Sequence, residues 1–390
     1  MIWQIISGEY PPTVGGVSGH TSVIAHGLAT RGDEVHVWSP SIQRNGHDLD
    51  VRLHKLPDRF GLRSIYQLEK GLARRYDHQV VIQYVAQSFG KKGMNIPFCW
   101  WLWARRRLQF IVMFHEIMVP IECDGSLRQN LLASTTRYMA SLVARVARVV
   151  FISTPTWRPV LRGECRFLGE ARWLPIPSPF SVSRDQEAIL KLRSSFTQNS
   201  MCSLFLGILS SYPESMRHRT AGVLRKLLKQ HPELGVVLLG QNSHQLSREI
   251  FNVDSPSGKR ILTPGFLPDT LLSQRLSACD LMLQIYPDGA CARRTSLVAA
   301  LAHARPVVSN KGKATEIFWD RSDALALAAD DDEVIERTVR KCILANGLRR
   351  MYSSAAVRVY SERFAVQHSL ELLSRASAAV ARSRQDAKFR

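Results

Sequence analysis

The sequence predicts an α/β protein made of two tandem Rossmann-like domains, each a doubly wound parallel sheet, and three observations carry that reading. A strand, a glycine-rich turn, a helix and a second strand follow one another between Ile2 and Trp38. Short apolar runs then recur with helical stretches between them, the pattern of strands buried on both faces. A stretch rich in Pro and Ser, Leu174 to Ser183, separates two such series and marks the interdomain crossing. At 390 residues the chain is long enough for two or three domains, which excludes a single small binding module.

Taken in order, Ile2 to Ile6 is an apolar run of strand length, and His20 to Ala29 carries apolar residues at helical spacing. Val35 to Trp38 resumes as a strand and completes a βαβ unit. Val80 to Tyr84, Phe110 to Phe114 and Arg148 to Ile152 are further buried strands. The polar segment Arg184 to Ser200 leads into the second series. Its strands are Ser203 to Leu209, Gly235 to Gly240, Arg260 to Pro264, Leu281 to Ile285 and Pro306 to Ser309. Helical runs such as Ala221 to Gln230 and Thr295 to Ala304 lie between them. Glu333 to Ala379 has no strand signal and is expected to be helical, whereas Ala381 to Arg390 is basic, polar and expected to fray. The expected division is 1–182, 183–365 and a C-terminal helix with a basic tail at 366–390, which can pack back on the first domain.

Charge is lopsided: 52 Lys and Arg against 33 Asp and Glu give +19. Such an excess points to a phosphorylated or polyanionic partner, or to an anionic membrane. The seven cysteines are odd in number and contain no C-x-x-C pair, so neither a disulfide framework nor a zinc site is expected, and a reducing cytoplasm is the natural setting. The N-terminus lacks the basic region and the apolar length of a signal peptide. The longest apolar candidate, Ile96 to Phe114, is interrupted by Arg105, Arg106 and Arg107 and cannot span a bilayer as written.

The chemistry is expected at the carboxyl ends of the strands, where ligands of open α/β sheets bind. In the first domain, Gly15 and Gly16 lie between strand and helix. Two adjacent glycines let backbone approach a ligand and leave amide groups at a helix N-terminus, which suits an anion or a sugar hydroxyl; a ligand-free tight turn is the other reading. The loop is neither a P-loop nor G-x-G-x-x-G, so nicotinamide chemistry loses support. In the second domain, Arg293, Arg294, Thr295 and Ser296 open a helix. Free amides, the helix dipole, two hydroxyls and two guanidiniums there suit a diphosphate; a solvated pair of arginines at a helix start is the other reading. Asp330 to Asp332 precede a helix and are read as its N-cap and first turn, and no metal site is expected.

Longer segments carry a resemblance. EYPPTVGGVSGHTSVIAHGLATRGDEVHVWSP, then FHE at Phe114 to Glu116, VVFIST at Val149 to Thr154, LFLGILS at Leu204 to Ser210 and VVLLG at Val236 to Gly240 follow one another. PGFLPDTLLSQRLSACDLMLQIYPDG and RRTSLVAALAHARPVVSNKG complete the series. In order and spacing these resemble retaining glycosyltransferases of family 4, which have the two-domain GT-B fold with the domains facing across a cleft. The likeness covers nearly the whole chain. It implies transfer of a sugar, with retention of configuration, from a nucleotide sugar held mainly by the second domain to a hydroxyl acceptor held by the first. The acceptor so implied is a glycolipid, a polysaccharide or a small molecule. No cofactor or metal is implied, since the departing diphosphate and its ligands carry the charge.

The resemblance also implies site residues. His115 and Glu116 follow a strand and stand near donor sugar and acceptor, with a structural strand-end histidine as the other reading for His115, and Arg294 is grouped with them as catalytic. Gly15, Gly16, Arg293 to Ser296 and Arg217 are the donor-phosphate candidates. Gly207, Gly240, Gly265, Phe266, Leu267 and Glu316 are the nucleotide and sugar candidates, with core packing as the other reading for Phe266 and a surface carboxylate for Glu316. The sequence also departs from the family. Cys291 and Ala299 stand where two glutamates are usual. Ile208 and a Tyr212-Pro213-Glu214 turn replace the usual Arg and Lys after the Gly207 strand, leaving Arg217 or Arg219 as substitutes. A non-catalytic protein of the same fold that binds a nucleotide sugar or a partner protein is therefore the alternative.

Trp100, Trp101 and Trp103 directly precede Arg105, Arg106 and Arg107. Aromatic and cationic residues so grouped suit a membrane interface, giving a peripheral protein on the inner face of a membrane; tryptophans packed on the sheet beside a solvated arginine face are the other reading. Nucleic acid is not expected as a partner, because no recognisable module accompanies the charge.

Overall fold

The computed structural model describes residues 1–72, 78–118, 126–251 and 258–388; Cys123 and the last two residues of the basic tail lie outside them. The chain forms two compact units, one of Met1–Pro177 with Val366–Arg390 and the other of Ser178–Ala365. The change of unit at Pro177 falls inside the Pro- and Ser-rich stretch.

The first unit runs β1 (Ile2–Ser7), α1 (Gly16–Thr30), β2 (Glu34–Ser39), β3 (Gly46–Asp48), β4 (Val51–Lys55), α2 (Leu62–Leu72) and β5 (Gln79–Tyr84). It continues α3 (Ile96–Ala104), β6 (Phe110–Phe114), α4 (Leu127–Val146), β7 (Ala147–Ile152), α5 (Trp157–Gly163) and β8 (Ala171–Trp173). The strands form an eight-stranded sheet in the order β3-β4-β2-β1-β5-β6-β7-β8. Every pairing is parallel except that of β3 with β4. The sheet is doubly wound from its interior: β1 pairs with β2 on one side and β5 on the other, so the switch point lies between β1 and β5. β5 and β6 are buried at every position, as strands between helical layers must be; β6 is apolar throughout, whereas β5 buries Gln79 and Gln83 as well. The apolar run from Ile96 divides: Asn95 caps α3 by accepting from the Phe98 amide, Gln109 turns through a left-handed conformation, and β6 begins.

The second unit runs α6 (Gln186–Ser200), β9 (Leu204–Leu209), α7 (Glu214–Gln230), β10 (Leu234–Leu239), α8 (Ser243–Ile250), β11 (Ile261–Gly265), α9 (Asp269–Ala278) and β12 (Leu281–Gln284). Then follow α10 (Thr295–Ala302), β13 (Val307–Asn310), α11 (Ile317–Ser322), β14 (Ala326–Ala328), α12 (Asp332–Leu344) and α13 (Asn346–Val359). Its six strands, all parallel, lie in the order β11-β10-β9-β12-β13-β14, with the switch between β9 and β12. Gly207 sits inside β9, where a Cβ would come within 2.7 Å of Met282 and Cys279 sulfurs, so its bareness lets the neighbouring side chains pack over the strand. Asp331 caps α12, accepting from the Glu333 and Val334 amides.

The last helix, α14 (Val366–Lys388), belongs to the first unit. Its Leu370, Leu373, Ala376 and Val380 are buried in one core with Trp3, Ile24 and Leu28. Gly27 of α1 has no side chain where Leu370 seats, and the Ser369 hydroxyl donates to the Pro175 carbonyl at 2.8 Å. α14 also reaches into the basic tail that was expected to fray; Arg, Gln, Ala and Lys are good helix formers. Four strands go beyond the sequence reading: β3 and β4 at one sheet edge, and the three-residue β8 and β14.

Candidate functional site

In the first unit the carboxyl ends of β1, β5 and β6 bring together the loop before α1, Gln83, His115 and Glu116. Gly15 and Gly16 are exposed, and α1 starts at Gly16 without a side-chain cap. A Cβ on Gly15 would lie 2.9 Å from Oε2 of Glu9, so the glycine makes room for this carboxylate. Burial, and then the charge of Glu116, raise the Glu9 carboxyl above its ordinary value. Gly8 allows the same loop to pass close to Ser88 beyond β5, since a Cβ there would strike its hydroxyl and carbonyl.

His115 is 4% exposed and is held from both ends. Its amide donates to the Tyr84 carbonyl, and its carbonyl accepts from Ser153 Oγ at 3.0 Å and Trp157 Nε1 at 3.3 Å. Its Nε2 lies 2.6 Å from Gln83 Oε1, a bond that requires the proton on Nε2. The ring of His20, from the second turn of α1, stands edge-on to it. Burial lowers His115 well below the ordinary imidazole value, with the neighbouring His20 acting in the same direction, and burial lowers His20 to about 4. Both rings are neutral at pH 7, so His115 offers a hydrogen-bonding imidazole rather than a charge.

In the second unit the loop from β12 to α10 gathers the cationic candidates. Arg293 Nη2 donates to Asp288 Oδ2 at 2.9 Å, and Arg294 Nη2 bonds the other oxygen of the same carboxylate. The Arg294 guanidinium also lies 4.9 Å above the ring of Tyr286, whose hydroxyl is 2.8 Å from Ser296 Oγ. α10 opens at Thr295 with Arg294 as N-cap, no side-chain cap and no acidic residue in its first turn. The loop is clamped by its neighbour after β13. Gly289 takes a φ of +87°, and a Cβ on it would come within 2.3 Å of the Gly312 nitrogen. Asn310 accepts from the Tyr286 amide and donates to the Tyr286 carbonyl at 2.9 and 2.8 Å.

Glu316 is buried, which corrects the surface-carboxylate reading. Its carboxylate accepts from the Ala292 amide at 3.0 and 3.1 Å and from Trp319 Nε1 at 2.8 Å, tying the start of α11 to the Arg293 loop. Cys291 and Ala299, which the resemblance aligns with two glutamates, are both fully buried, and burial pushes the Cys291 thiol up to about 11. Neither supplies a charge at neutral pH. Arg217 donates to Glu249 at 2.7 Å and Gln245 at 3.1 Å on α8, while Arg219 pairs with Asp330 and Asp332. At the ends of β10 and β11, Gly240 and Gly265 have φ of +109° and +74°, the left-handed region that favours glycine. Phe266 is 65% exposed, so the core reading for it does not hold. Among the described residues no group of three or more His, Cys, Asp or Glu is arranged to hold a metal ion.

The Trp100–Arg107 cluster divides in two. Trp101 Nε1 and the Arg105 guanidinium both donate to Glu69 of α2. Trp100 and Trp103 are more than half exposed, Arg106 lies 4.5 Å above the Trp103 ring, and Arg107 faces solvent. Among the described residues no helix is long and apolar enough to cross a membrane.

Glu9, His20, Gln83, Tyr286 and Asp288 are site residues that sequence reasoning missed. Glu9 and Asp288 had a signal: each is an acid just beyond a strand and beside a glycine-bearing loop. His20 and Gln83 had none, since each lies inside a regular element.

No family model matches this chain, and no curated protein matches it. Solved structures do. Sucrose-phosphate synthase from Thermosynechococcus elongatus superposes with a TM-score of 0.72 at 13% identity, over 98% of this chain and all of that one. HepE of Anabaena, in complex with UDP and glucose, gives 0.68 at 16% identity over 97% of this chain and 100% of its own. WaaG, a glycosyltransferase involved in lipopolysaccharide biosynthesis, gives 0.63 at 14% identity over 97% of this chain and 99% of its own. At such identities the likeness speaks for architecture, and by architecture this chain has the GT-B fold.

Proposed function

We propose that the protein is a glycosyltransferase that moves a sugar from a nucleoside-diphosphate sugar to a hydroxyl acceptor with retention of configuration, as a divergent relative of family 4. The observation that carries this reading is the loop from β12 to α10, which sets two guanidiniums at the carboxyl edge of the second sheet, beside its switch point. Guanidiniums at a helix N-terminus oppose the dipole unless an anion joins them; within the chain Asp288 is that anion, and a departing diphosphate is the stronger one that glycosyl transfer generates. In this reading Arg293 and Arg294 take the phosphates without a metal, Phe266 lies along the base, and the neutral His115 orients the reacting groups. The HepE complexes with UDP and with UDP-glucose support a nucleotide-sugar donor.

The test is turnover and binding with UDP-, GDP- and dTDP-sugars. One donor is expected to be hydrolysed slowly without an acceptor, and the product of transfer is expected to keep the anomeric configuration of that donor. Binding without hydrolysis or transfer for every donor would leave the non-catalytic alternative standing.

The outward half of the tryptophan and arginine cluster supports a peripheral membrane position for the first unit. Trp100 and Trp103 present apolar surface beside Arg106 and Arg107, and each such cation near an anionic leaflet contributes about 1 kcal/mol. Vesicles containing phosphatidylglycerol should sediment the wild type, and the double variant W100S/W103S should stay in the supernatant. Equal sedimentation would remove this role.

A further inference from the structure

Asp288 has no part in the proposed reaction, yet Arg293 and Arg294 both converge on its carboxylate, one on each oxygen. The backbone beneath it has little freedom. The Asp288 carbonyl accepts from the Ala314 amide at 2.8 Å, and the Ala290 amide donates to the Asn310 carbonyl at 2.9 Å. A Cβ on Gly312 would come within 2.5 Å of the Asp288 carbonyl group, so the two loops are in direct backbone contact. The carboxylate can leave the guanidiniums only by rotating its own side chain, which is 31% exposed and has solvent to turn into.

We infer that Asp288 is an internal competitor for the anion that Arg293 and Arg294 bind, so that a diphosphate enters by displacing one carboxylate from two guanidiniums. This rests on the donor-phosphate reading given above. The exchange favours a polyanion: a carboxylate offers two oxygens and one charge, whereas a diphosphate offers several oxygens and at least two charges to the same donors. A ligand as weakly charged as monophosphate gains less over the carboxylate it must displace. Asp288 thereby raises the intrinsic affinity that any anion must bring before it occupies the arginines, and it returns to them as the product leaves, trading affinity for faster release.

The experiment measures the binding of inorganic pyrophosphate and inorganic phosphate by calorimetry at low ionic strength. The proteins are the wild type, D288N, D288A and R294A, all full-length. D288N keeps the shape and the backbone bonds and loses the charge. It is expected to bind pyrophosphate about tenfold tighter, and phosphate tighter by a similar factor, with D288A moving in the same direction. If instead Asp288 serves to aim the arginines, D288N and D288A will bind pyrophosphate no better than the wild type, or worse, and the competitor role is overturned. R294A separates this from the underlying reading. Unchanged pyrophosphate affinity in R294A overturns both, whereas weakened binding in R294A without tightening in D288N overturns the competitor role alone.

Discussion

His20 and His115 meet edge to face, with ring centroids 4.8 Å apart and planes at 74°. The two imidazoles come from the first helix and from the end of β6, and they share one buried pocket in which neither carries charge. Stability therefore depends on pH in a defined window. The unfolded chain protonates both rings below about 6.5, while the folded chain keeps them neutral until His20 titrates at about 4. Their contribution is complete above 6.5 and is lost as the pH falls from there toward 4. His54, also lowered to about 4 by burial, acts with the same sign, whereas Glu9, whose carboxyl is raised, loses its contribution as pH rises past its folded value. The urea midpoint of the wild type should drop across pH 6.5 to 4, and H20Q should show a shallower drop; parallel curves would show that the pair does not set the slope.

His115→Ala removes the ring bonded to Gln83 and leaves the second unit untouched. Nucleotide affinity should stay within about twofold of wild type, while transfer falls by roughly two orders of magnitude, the scale of a lost orienting group. Calorimetry with the donor nucleotide and initial-rate kinetics read the two quantities separately. Full activity would return His115 to the structural residues.

Arg294→Ala removes a guanidinium that both stacks on Tyr286 and bonds Asp288. Turnover should fall by about a hundredfold or more, with a shift in thermal midpoint of only a few degrees. Arg294→Lys should recover little, because a point charge lacks the planar fork. Recovery to wild-type rates in the lysine variant would mean that charge alone is needed.

Gly289→Ala is expected to cost stability and donor binding together. The added Cβ would lie within 2.3 Å of the Gly312 nitrogen and 2.5 Å of Thr315 Oγ1, and the left-handed backbone adds its own penalty. A loss of about 1–3 kcal/mol in unfolding free energy follows from the backbone conformation alone. Denaturation and nucleotide titration should shift together; loss of stability with unchanged affinity would separate the loop from the donor site.

Much of the fold was legible because parallel strands covered on both faces must be apolar throughout, as Phe110–Phe114 and Leu204–Leu209 are. β4 was not, since Val51–Lys55 alternates polar residues next to the edge strand β3, and β8 and β14 are too short for any period to show. The same contrast governs the sites. Arg293 and Arg294 announce themselves as adjacent cations at a helix start. Gln83 stands 32 residues from His115 and becomes its neighbour only through the pairing of β5 with β6. Asp288 is near its partners in sequence, but an acid in a Tyr-Pro-Asp-Gly stretch reads first as a turn residue.

The docking of α14 on α1 has a consequence for assembly. Leu370 and Leu373 close the apolar layer that Trp3 and Ile24 begin, and Ser369 meets Pro175 across 194 residues of chain. As the polypeptide leaves the ribosome, every residue of the second unit precedes the helix that seals the first. The unit begun first is therefore completed last, and its Trp3 face stays open to solvent and to chaperones throughout that interval.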